Sequence, residues 1–228
     1  LDAPGEWHYE PKTGEIVYQP RKGETPAKLV AEYGNIETLL NIKDSKNVTI
    51  ENINFRHTGF APANGPGGRF QLLGCQAAFY ENIIPGKKKE PAHNWRKAPP
   101  AAVVVDRSEN VIFDKCTFEH LAGSGVWIRE QCRDSWVDKS LIQDCGGNGA
   151  MIGETTYRQV KGKGAWWQGV PEQATTDCAV INSKITRCGQ TNYGAVGVWV
   201  GLAAKTQVSM NHLHDLPYTG ISVGWMWW

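Results

Sequence analysis

Two glutamates, Glu130 and Glu154, stand 24 residues apart and could act as a carboxylate pair. If the chain between them makes one coil of a stacked fold, their carboxyl groups would lie about 5 Å apart, which is close to the separation of roughly 5–5.5 Å in retaining glycosidases. Two carboxylates at that distance also separate their pKa values, as an acid and a base require. Alternatively, both glutamates are solvated turn residues, with the neighbouring Arg129 and Arg133 neutralising Glu130. Glu154 opens a tryptophan-rich segment and is the better catalytic candidate.

A second column of ionisable residues follows the same spacing, and it consists of His57, His120, Asp144, Arg187 and Asp215. Opposite charges at strand spacing would form a lateral ion-pair ladder, which needs no catalytic role. Asp144 and Asp215 would also lie two coils apart, at roughly 9–10 Å, toward the upper end of the separations in inverting glycosidases. Arg187 between them would lower both pKa values, which suits a base better than an acid. We therefore predict Asp215, together with His214, as an acid–base contact.

An internal repeat sets this spacing. Residues 110–128 align with residues 134–152 at a shift of 24 without a gap, and further copies lie at 40–55, 180–200 and 208–223. Within each copy apolar and polar residues alternate, as in strands, and no copy has a helical pattern long enough to pair with its strand. The repeat predicts an all-β fold, a right-handed parallel β-helix in which stacked coils bury a continuous core.

The sequence predicts that the chain divides into two parts. Residues 1–38 form an N-terminal hairpin and connection, and residues 39–228 form β-helix coils with insertions at about 58–100 and 155–175. A loop of that length is usually functional or disordered. Because the chain starts and stops abruptly around core-like strands, we expect it to be the central part of a longer protein whose coils continue beyond Trp228.

Trp127 and Trp199 fall between inward-facing residues of their strands and should point outward. Both insertions adjoin that strand column, so this face is a candidate cleft whose aromatic rings could stack on sugars. The residues predicted to line it are Trp127, Glu154, Trp199, Tyr218 and Trp225. Alternatively, the insertions only cap the solenoid or mediate oligomerisation.

The composition limits the partners. A net charge of +1 argues against nucleic acid or an anionic membrane surface as a partner. No apolar run is long enough to span a membrane, and no signal peptide stands at Leu1.

The cysteines give no sign of a metal site. Cys145 and Cys188 share a core-facing column, where they can be buried apolar residues or can form a disulfide. The six cysteines show no CxxC spacing, and we predict neither a metal site nor a cofactor.

Several segments together resemble a known family. They are 1–9, 147–154, 166–168, 171–173, 197–203 and 216–227, which include Gly197-Val-Trp-Val-Gly201 and Gly224-Trp-Met-Trp227. They resemble bacterial right-handed parallel β-helix proteins of glycoside hydrolase family 141 and, more distantly, family 120. The resemblance implies a secreted or periplasmic carbohydrate-active enzyme, with α-L-fucosidase and xylanase among the activities of the family. It also implies catalytic aspartates in coils after Gly224-Trp-Met-Trp227, beyond Trp228, so that this chain alone can be inactive.

We therefore expect a glycoside hydrolase acting on a polysaccharide or oligosaccharide. A non-catalytic carbohydrate-binding or adhesion β-helix is the alternative. A polysaccharide lyase is a third possibility, but that chemistry needs a calcium site of clustered carboxylates, and no tight Asp/Glu cluster stands on one predicted face.

Overall fold

The structure is a computed structural model that describes residues 1–10, 12–60, 69–72, 76–83 and 96–224. The chain divides into two compact units, residues 1–32 and residues 33–228. The first unit contains an antiparallel hairpin of β1 (Trp7–Glu10) and β2 (Glu15–Tyr18), and a 3-10 turn at Pro26–Lys28.

The second unit is a β-helix whose coils each contribute strands to three parallel sheets. The first sheet contains, in spatial order, β3 (Leu40–Lys43), β9 (Ala101–Asp106), β12 (Ser124–Ile128), β15 (Ala150–Ile152), β21 (Val198–Val200) and β25 (Ile221–Val223). The second contains β4 (Lys46–Glu51), β10 (Glu109–Asp114), β13 (Trp136–Asp138), β19 (Ala179–Ile181) and β23 (Gln207–Ser209). The third contains β5 (Asn54–Thr58), β11 (Thr117–Leu121), β14 (Leu141–Cys145), β20 (Lys184–Cys188) and β24 (His212–His214).

Shorter elements interrupt the coils. A three-stranded antiparallel sheet contains β6 (Arg69–Leu72), β7 (Tyr80–Ile83) and β8 (Arg96–Lys97), and a 3-10 turn spans Gln76–Ala78. The second insertion contains the hairpin β16 (Gln159–Val160) and β17 (Gly164–Ala165), the one-turn helix α1 (Trp166–Gly169) and a 3-10 turn at Pro171–Gln173. After it, β18 (Thr175–Thr176) pairs with β22 (Ala203–Ala204).

The strand register confirms the repeat. Val126 pairs with Ala150, Ala150 with Val198, and Val198 with Ile221. The third sheet repeats this pattern, where Phe118 is the Cα partner of both Phe55 and Ile142. The predicted fold class, a right-handed parallel β-helix, is therefore confirmed.

The apolar columns form one continuous core inside the coils. Phe118 is fully buried and stacks on Phe55 with ring centroids 5.1 Å apart. Burying a side chain of this size contributes roughly 1.5–3 kcal/mol. Cys145 and Cys188 are adjacent, buried in this core and present as free thiols, in agreement with the buried apolar role. The hydrogen bond from Cys188 and the burial both raise the pKa of the Cys145 thiol.

The corners between sheets use left-handed backbone. The corner between the second and third sheets is formed by Asn52, Lys115, Lys139, Asn182 and Met210, all with φ between 47° and 57°. Asparagine tolerates this conformation better than most residues, because its short polar side chain bonds locally. The left-handed residue lets the chain bend in one step, so each coil stays short.

A ladder of hydroxyl and amide side chains satisfies the backbone just after this corner. Ser140 Oγ accepts from Cys116 N at 3.0 Å, and Ser183 Oγ accepts from Ser140 N at 3.0 Å. Asn211 Oδ1 continues the ladder by accepting from Ser183 N at 2.9 Å. Buried amide groups that leave the sheet ladder therefore still find acceptors, as folding requires.

Across the described ranges, none of the helices has the length and apolar character needed to cross a membrane.

We predict opposite effects for two substitutions at Met210, which is 72% exposed at φ 54°. Met210→Asn should raise the free energy of unfolding by about 0.5 kcal/mol, because left-handed backbone costs an ordinary L-residue about 1–2 kcal/mol. Met210→Val should lower it by about 1 kcal/mol or more, since a β-branched residue fits this conformation worst. Urea unfolding monitored by circular dichroism measures both. The control Gln207→Val replaces an exposed residue of β23 and should change stability by less than about 0.5 kcal/mol. Equal stability of the Met210→Asn and Met210→Val proteins would contradict this account of the corner.

Candidate active site

A group of paired charges lies where the strands of the first sheet end. We call it the carboxylate–arginine cluster, and it consists of Asp44, Asp106, Arg107, Arg129, Glu130, Glu154 and Arg158. It is adjacent to the second insertion, because Arg158 belongs to that insertion.

Coil stacking brings most of these side chains together. Asp44, Arg107, Glu130 and Glu154 occupy the same position on four successive coils, just after β3, β9, β12 and β15. The charges along this column read negative, positive, negative, negative. The last two would therefore place like charges on adjacent strands, which is unfavourable without a cation between them.

Arg158 supplies that cation. Its Nε donates to Glu154 Oε2 at 2.6 Å and its Nη2 to Glu154 Oε1 at 2.8 Å, so the pair is bidentate. The same Nε lies 3.8 Å from Glu130 Oε1. The 2.6 and 3.8 Å contacts meet at one nitrogen and sum to 6.4 Å, so Glu154 Oε2 and Glu130 Oε1 can be no farther apart than this. The structure therefore brings the predicted glutamate pair together, around an arginine.

The environment of the two glutamates differs. Glu154 is only 5% exposed, and burial raises the pKa of its carboxyl group, with the nearby negative charges of Glu130 and Asp106 adding to the rise. The ion pair with Arg158 opposes that shift but does not cancel it. Glu130 is more open, and its Oε1 accepts from Gln131 Nε2 at 3.0 Å and lies 3.5 Å from Arg107 Nη1. Glu154 is thus the buried carboxyl group with a raised pKa, and Glu130 has more contact with water.

Two outer ion pairs flank the glutamates. Arg129 binds Asp106 in a bidentate pair at 2.8 and 2.6 Å. Arg107 binds Asp44 in the same way at 2.7 and 3.0 Å, and this contact raises the pKa of the Arg107 guanidinium. Bidentate arginine–carboxylate pairs fix orientation as well as charge. They hold the corner of each coil in place around Glu130.

Gly153 explains how Glu154 leaves the coil. It has φ 87°, and a Cβ at this position would lie 2.7 Å from the carbonyl oxygen of Leu202. Only glycine fits such a turn without displacing the neighbouring backbone. The chain then pairs with the next coil, where Leu202 N donates to the Glu154 carbonyl at 2.8 Å, and departs into the second insertion.

The prediction that Trp127 and Trp199 line an open cleft is wrong. Both rings lie outside the core of the coils, as expected, but Trp127 is 8% exposed and Trp199 is 0% exposed. They pack at 6.1 Å in a second apolar cluster, and Phe79 of the first insertion packs on Trp199 at 5.3 Å. The insertion segment is held there by Asn148 Nδ2, which donates to the Ala77 carbonyl at 2.8 Å. This face is therefore an anchor for the first insertion.

The other predicted site residues lie elsewhere. Asp215 and Tyr218 are in the connection that precedes β25, whereas Glu154 follows β15, so Asp215 and Glu154 lie at opposite ends of the first-sheet strands. The Asp215 side chain is 68% exposed, and its Oδ2 lies 2.8 Å from His214 Nδ1. The structure does not join Asp215 and Glu154 into one site.

Two of the sequence predictions concern the C-terminal segment, which the structure does not describe. Trp225, predicted to line the cleft, and Trp228, beyond which further coils and catalytic carboxylates are predicted, both lie outside the described residues. The contribution of Trp225 and the continuation of the coils past Trp228 therefore stay predictions.

The histidine and aspartate column is in part the ladder expected from the sequence. Arg187 binds Asp144 in a bidentate pair at 2.7 and 3.0 Å and lowers the pKa of that carboxyl group. His57 and His120 stack with centroids 5.5 Å apart. The carboxylate of Asp215 pairs with His214, so the ion-pair part of the ladder is the Asp144–Arg187 pair.

Sequence reasoning missed Asp106, Arg107 and Arg158. Extending the Glu130–Glu154 column upstream by 24 residues reaches Asp106 of the cluster. The observed register between β9 and β12 is one residue shorter, so Arg107, and Asp44 one coil further, hold the equivalent positions. Arg158 lies in an insertion that has no counterpart in the repeat, so only its i,i+4 spacing from Glu154 gave a signal. In the ranges that the structure describes, no three His, Cys, Asp or Glu side chains are grouped as metal ligands.

We predict that Arg158→Met lowers the free energy of unfolding by about 3 kcal/mol, because it leaves the buried Glu154 without its cation. The double variant Arg158→Met with Glu154→Gln should recover at least about half of that loss, since no charge then remains to be compensated. Urea unfolding measures both. Arg56→Met is the matched control, because Arg56 is a more exposed partner of Glu119 at 3.0 Å, and it should cost less than about 1 kcal/mol. If the double variant were no more stable than Arg158→Met, the charge explanation would be wrong.

Comparison with known proteins identifies the family to which the β-helix belongs. The right handed beta helix region family matches residues 33–150 and 92–225. A solved structure named "Glycoside hydrolase" superposes with a TM-score of 0.75 and 24% sequence identity, over 99% of this chain and 40% of that chain. At this identity the likeness shows the fold, and the chain spans less than half the length of that protein. No curated protein matches the chain.

The two family matches overlap, and together they extend from residue 33 to residue 225, which is most of the 228 residues. They include every strand of the three parallel sheets. The chain therefore belongs to the right handed beta helix region family.

Proposed function

We propose that this chain is the β-helix part of a glycoside hydrolase, which cleaves an oligosaccharide or polysaccharide at the carboxylate–arginine cluster. The observation that carries the proposal is the pair of glutamates around Arg158, one buried with a raised pKa and one more open. Glycosidases need two carboxyl groups whose environments separate their protonation states. The shared fold with a protein named glycoside hydrolase supports the same class of reaction.

In this proposal Glu154 is the acid. Its protonated carboxyl group donates to the glycosidic oxygen as the bond from that oxygen to the anomeric carbon breaks. The nearest oxygens of the two glutamates are no more than 6.4 Å apart, which brings both carboxyl groups within reach of one sugar unit, and we propose the retaining mechanism. Glu130 then attacks the anomeric carbon to form a glycosyl ester. Water then attacks this ester, Glu154 takes a proton from that water, and the sugar and the Glu130 carboxylate are released.

Finer assignments rest on the sequence resemblance. The segments that resemble glycoside hydrolase family 141 support an exported protein with fucosidase-like or xylanase-like specificity. The same resemblance supports further catalytic residues on coils beyond Trp228. The Asp215–His214 pair remains a second proposed acid–base contact. It lies before the first-sheet strand β25, whereas Glu154 follows the first-sheet strand β15.

A non-catalytic carbohydrate-binding β-helix is the second candidate. Its supporting observation is that Asp44, Asp106 and Glu154 are each held by an arginine in a bidentate pair. Such pairing orders a surface and fixes the coils without any proton transfer. In that case the cluster positions a glycan but does not cleave it.

We predict that Glu154→Gln lowers kcat at least about 100-fold in the whole protein, which is the usual contribution of a general acid. Release of nitrophenol from a panel of nitrophenyl glycosides, and of reducing ends from polysaccharides, measures hydrolysis. The rate of the unmodified protein should fall as pH rises above the raised pKa of Glu154, because the acid must be protonated.

Glu119→Gln is the matched control. Glu119 is a partly buried glutamate paired with Arg56 at 3.0 Å, and it lies on the third sheet away from the cluster. This variant should retain full activity. Hydrolysis that survives Glu154→Gln would reject Glu154 as the acid, and the absence of hydrolysis on the whole panel would favour the binding function.

A further inference from the structure

Two consecutive tryptophans on α1 have opposite environments. Trp166 is 1% exposed, whereas Trp167 is 42% exposed. Successive residues of a helical turn point in different directions, so one ring can be fixed while the next faces solvent. This arrangement presents a large aromatic surface on a short, anchored element.

The anchor is the carboxylate–arginine cluster itself. The ring of Trp166 lies under the Arg158 guanidinium with Cζ 5.0 Å from the centroid, and its Nε1 donates to the Thr155 carbonyl at 2.8 Å. Arg158 Nη1 also donates to Gln173 Oε1 at 2.8 Å, which fixes the other end of the insertion. One arginine therefore links Glu154, Trp166 and Gln173.

Trp167 adjoins the cluster along the chain, one residue after Trp166, whose ring packs on Arg158. Consecutive Cα atoms are about 3.8 Å apart, so Trp167 follows directly on the residue that packs against Arg158. An exposed indole has an unfavourable hydration cost that folding does not relieve, and its flat apolar face can be covered by the C–H face of a sugar ring. Rigid support lowers the entropy lost when a ligand binds.

We propose that Trp167 is a sugar-binding residue, on which one pyranose ring of a glycan stacks while a neighbouring unit occupies the carboxylate–arginine cluster. This inference rests on the cluster of the proposed function, and it deepens that proposal by naming an aromatic subsite. It requires glycan binding at the cluster but not hydrolysis. A hydrolase and a binding protein would both use the stacking surface.

The test measures binding in a background that cannot cleave. The Glu154→Gln protein is applied to an array of defined oligosaccharides, and the oligosaccharide bound most strongly is then titrated by calorimetry. Adding Trp167→Ala should weaken the Kd at least about tenfold, and adding Trp167→Phe should weaken it less, because an aromatic face remains. Thermal unfolding of both variants should match that of the Glu154→Gln protein, since the ring is exposed.

Trp136→Ala is the matched control, because Trp136 is equally exposed at 41% but lies on the second sheet. It should leave the Kd unchanged. Equal affinity of the Trp167→Ala and Trp136→Ala proteins would overturn the subsite, even if Glu154-dependent hydrolysis were established. Loss of binding on Trp167→Ala in a protein without hydrolysis would support the subsite and reject the hydrolase. Failure of every oligosaccharide to bind would overturn both the Trp167 subsite and the proposal that the cluster binds a glycan.

Discussion

Parallel strands that stack in register determine which side chains become neighbours throughout this β-helix. Adjacent coils lie about 4.8 Å apart, so side chains one repeat apart in the sequence become neighbours. For apolar residues this builds the core column by column, as the Phe55–Phe118 stack illustrates. For charged residues it requires alternation or an added counter-ion, and the carboxylate–arginine cluster combines both solutions. The same rule that makes the fold therefore also builds its candidate site.

The insertions have distinct roles because each meets the coils at a different surface. Part of the first covers Trp127 and Trp199 and makes a second apolar cluster there. The second delivers Arg158 between Glu130 and Glu154, where stacking alone would leave two like charges together. This arginine lets a carboxyl group with a raised pKa remain beside another acidic side chain. The second insertion thus gives the site its chemistry, and the coils give it its position.

The repeat predicted the fold class and the register of the core columns, because a period of 24 residues leaves little choice of neighbours. It also predicted that Glu130 and Glu154 would approach one another. It failed on the exposure of Trp127 and Trp199, since alternation shows which side of a strand a residue occupies but not what a distant segment places over it. It missed Arg158 for the same reason, because an insertion lies outside the periodic pattern. Long-range packing, which single-chain periodicity does not encode, accounts for both errors.

The proposed chemistry depends on burial outweighing the ion pair with Arg158, so that Glu154 is able to donate a proton. Carbon-13 NMR titration of protein labelled at the glutamate carboxyl carbon tests it directly, with the resonance of Glu154 assigned by its absence in the Glu154→Gln protein. We expect a pKa for Glu154 above the ordinary value of 4.5. A pKa below 4.5 would contradict it, because Glu154 would then be a permanently charged partner of Arg158 and the cluster a structural ion-pair network.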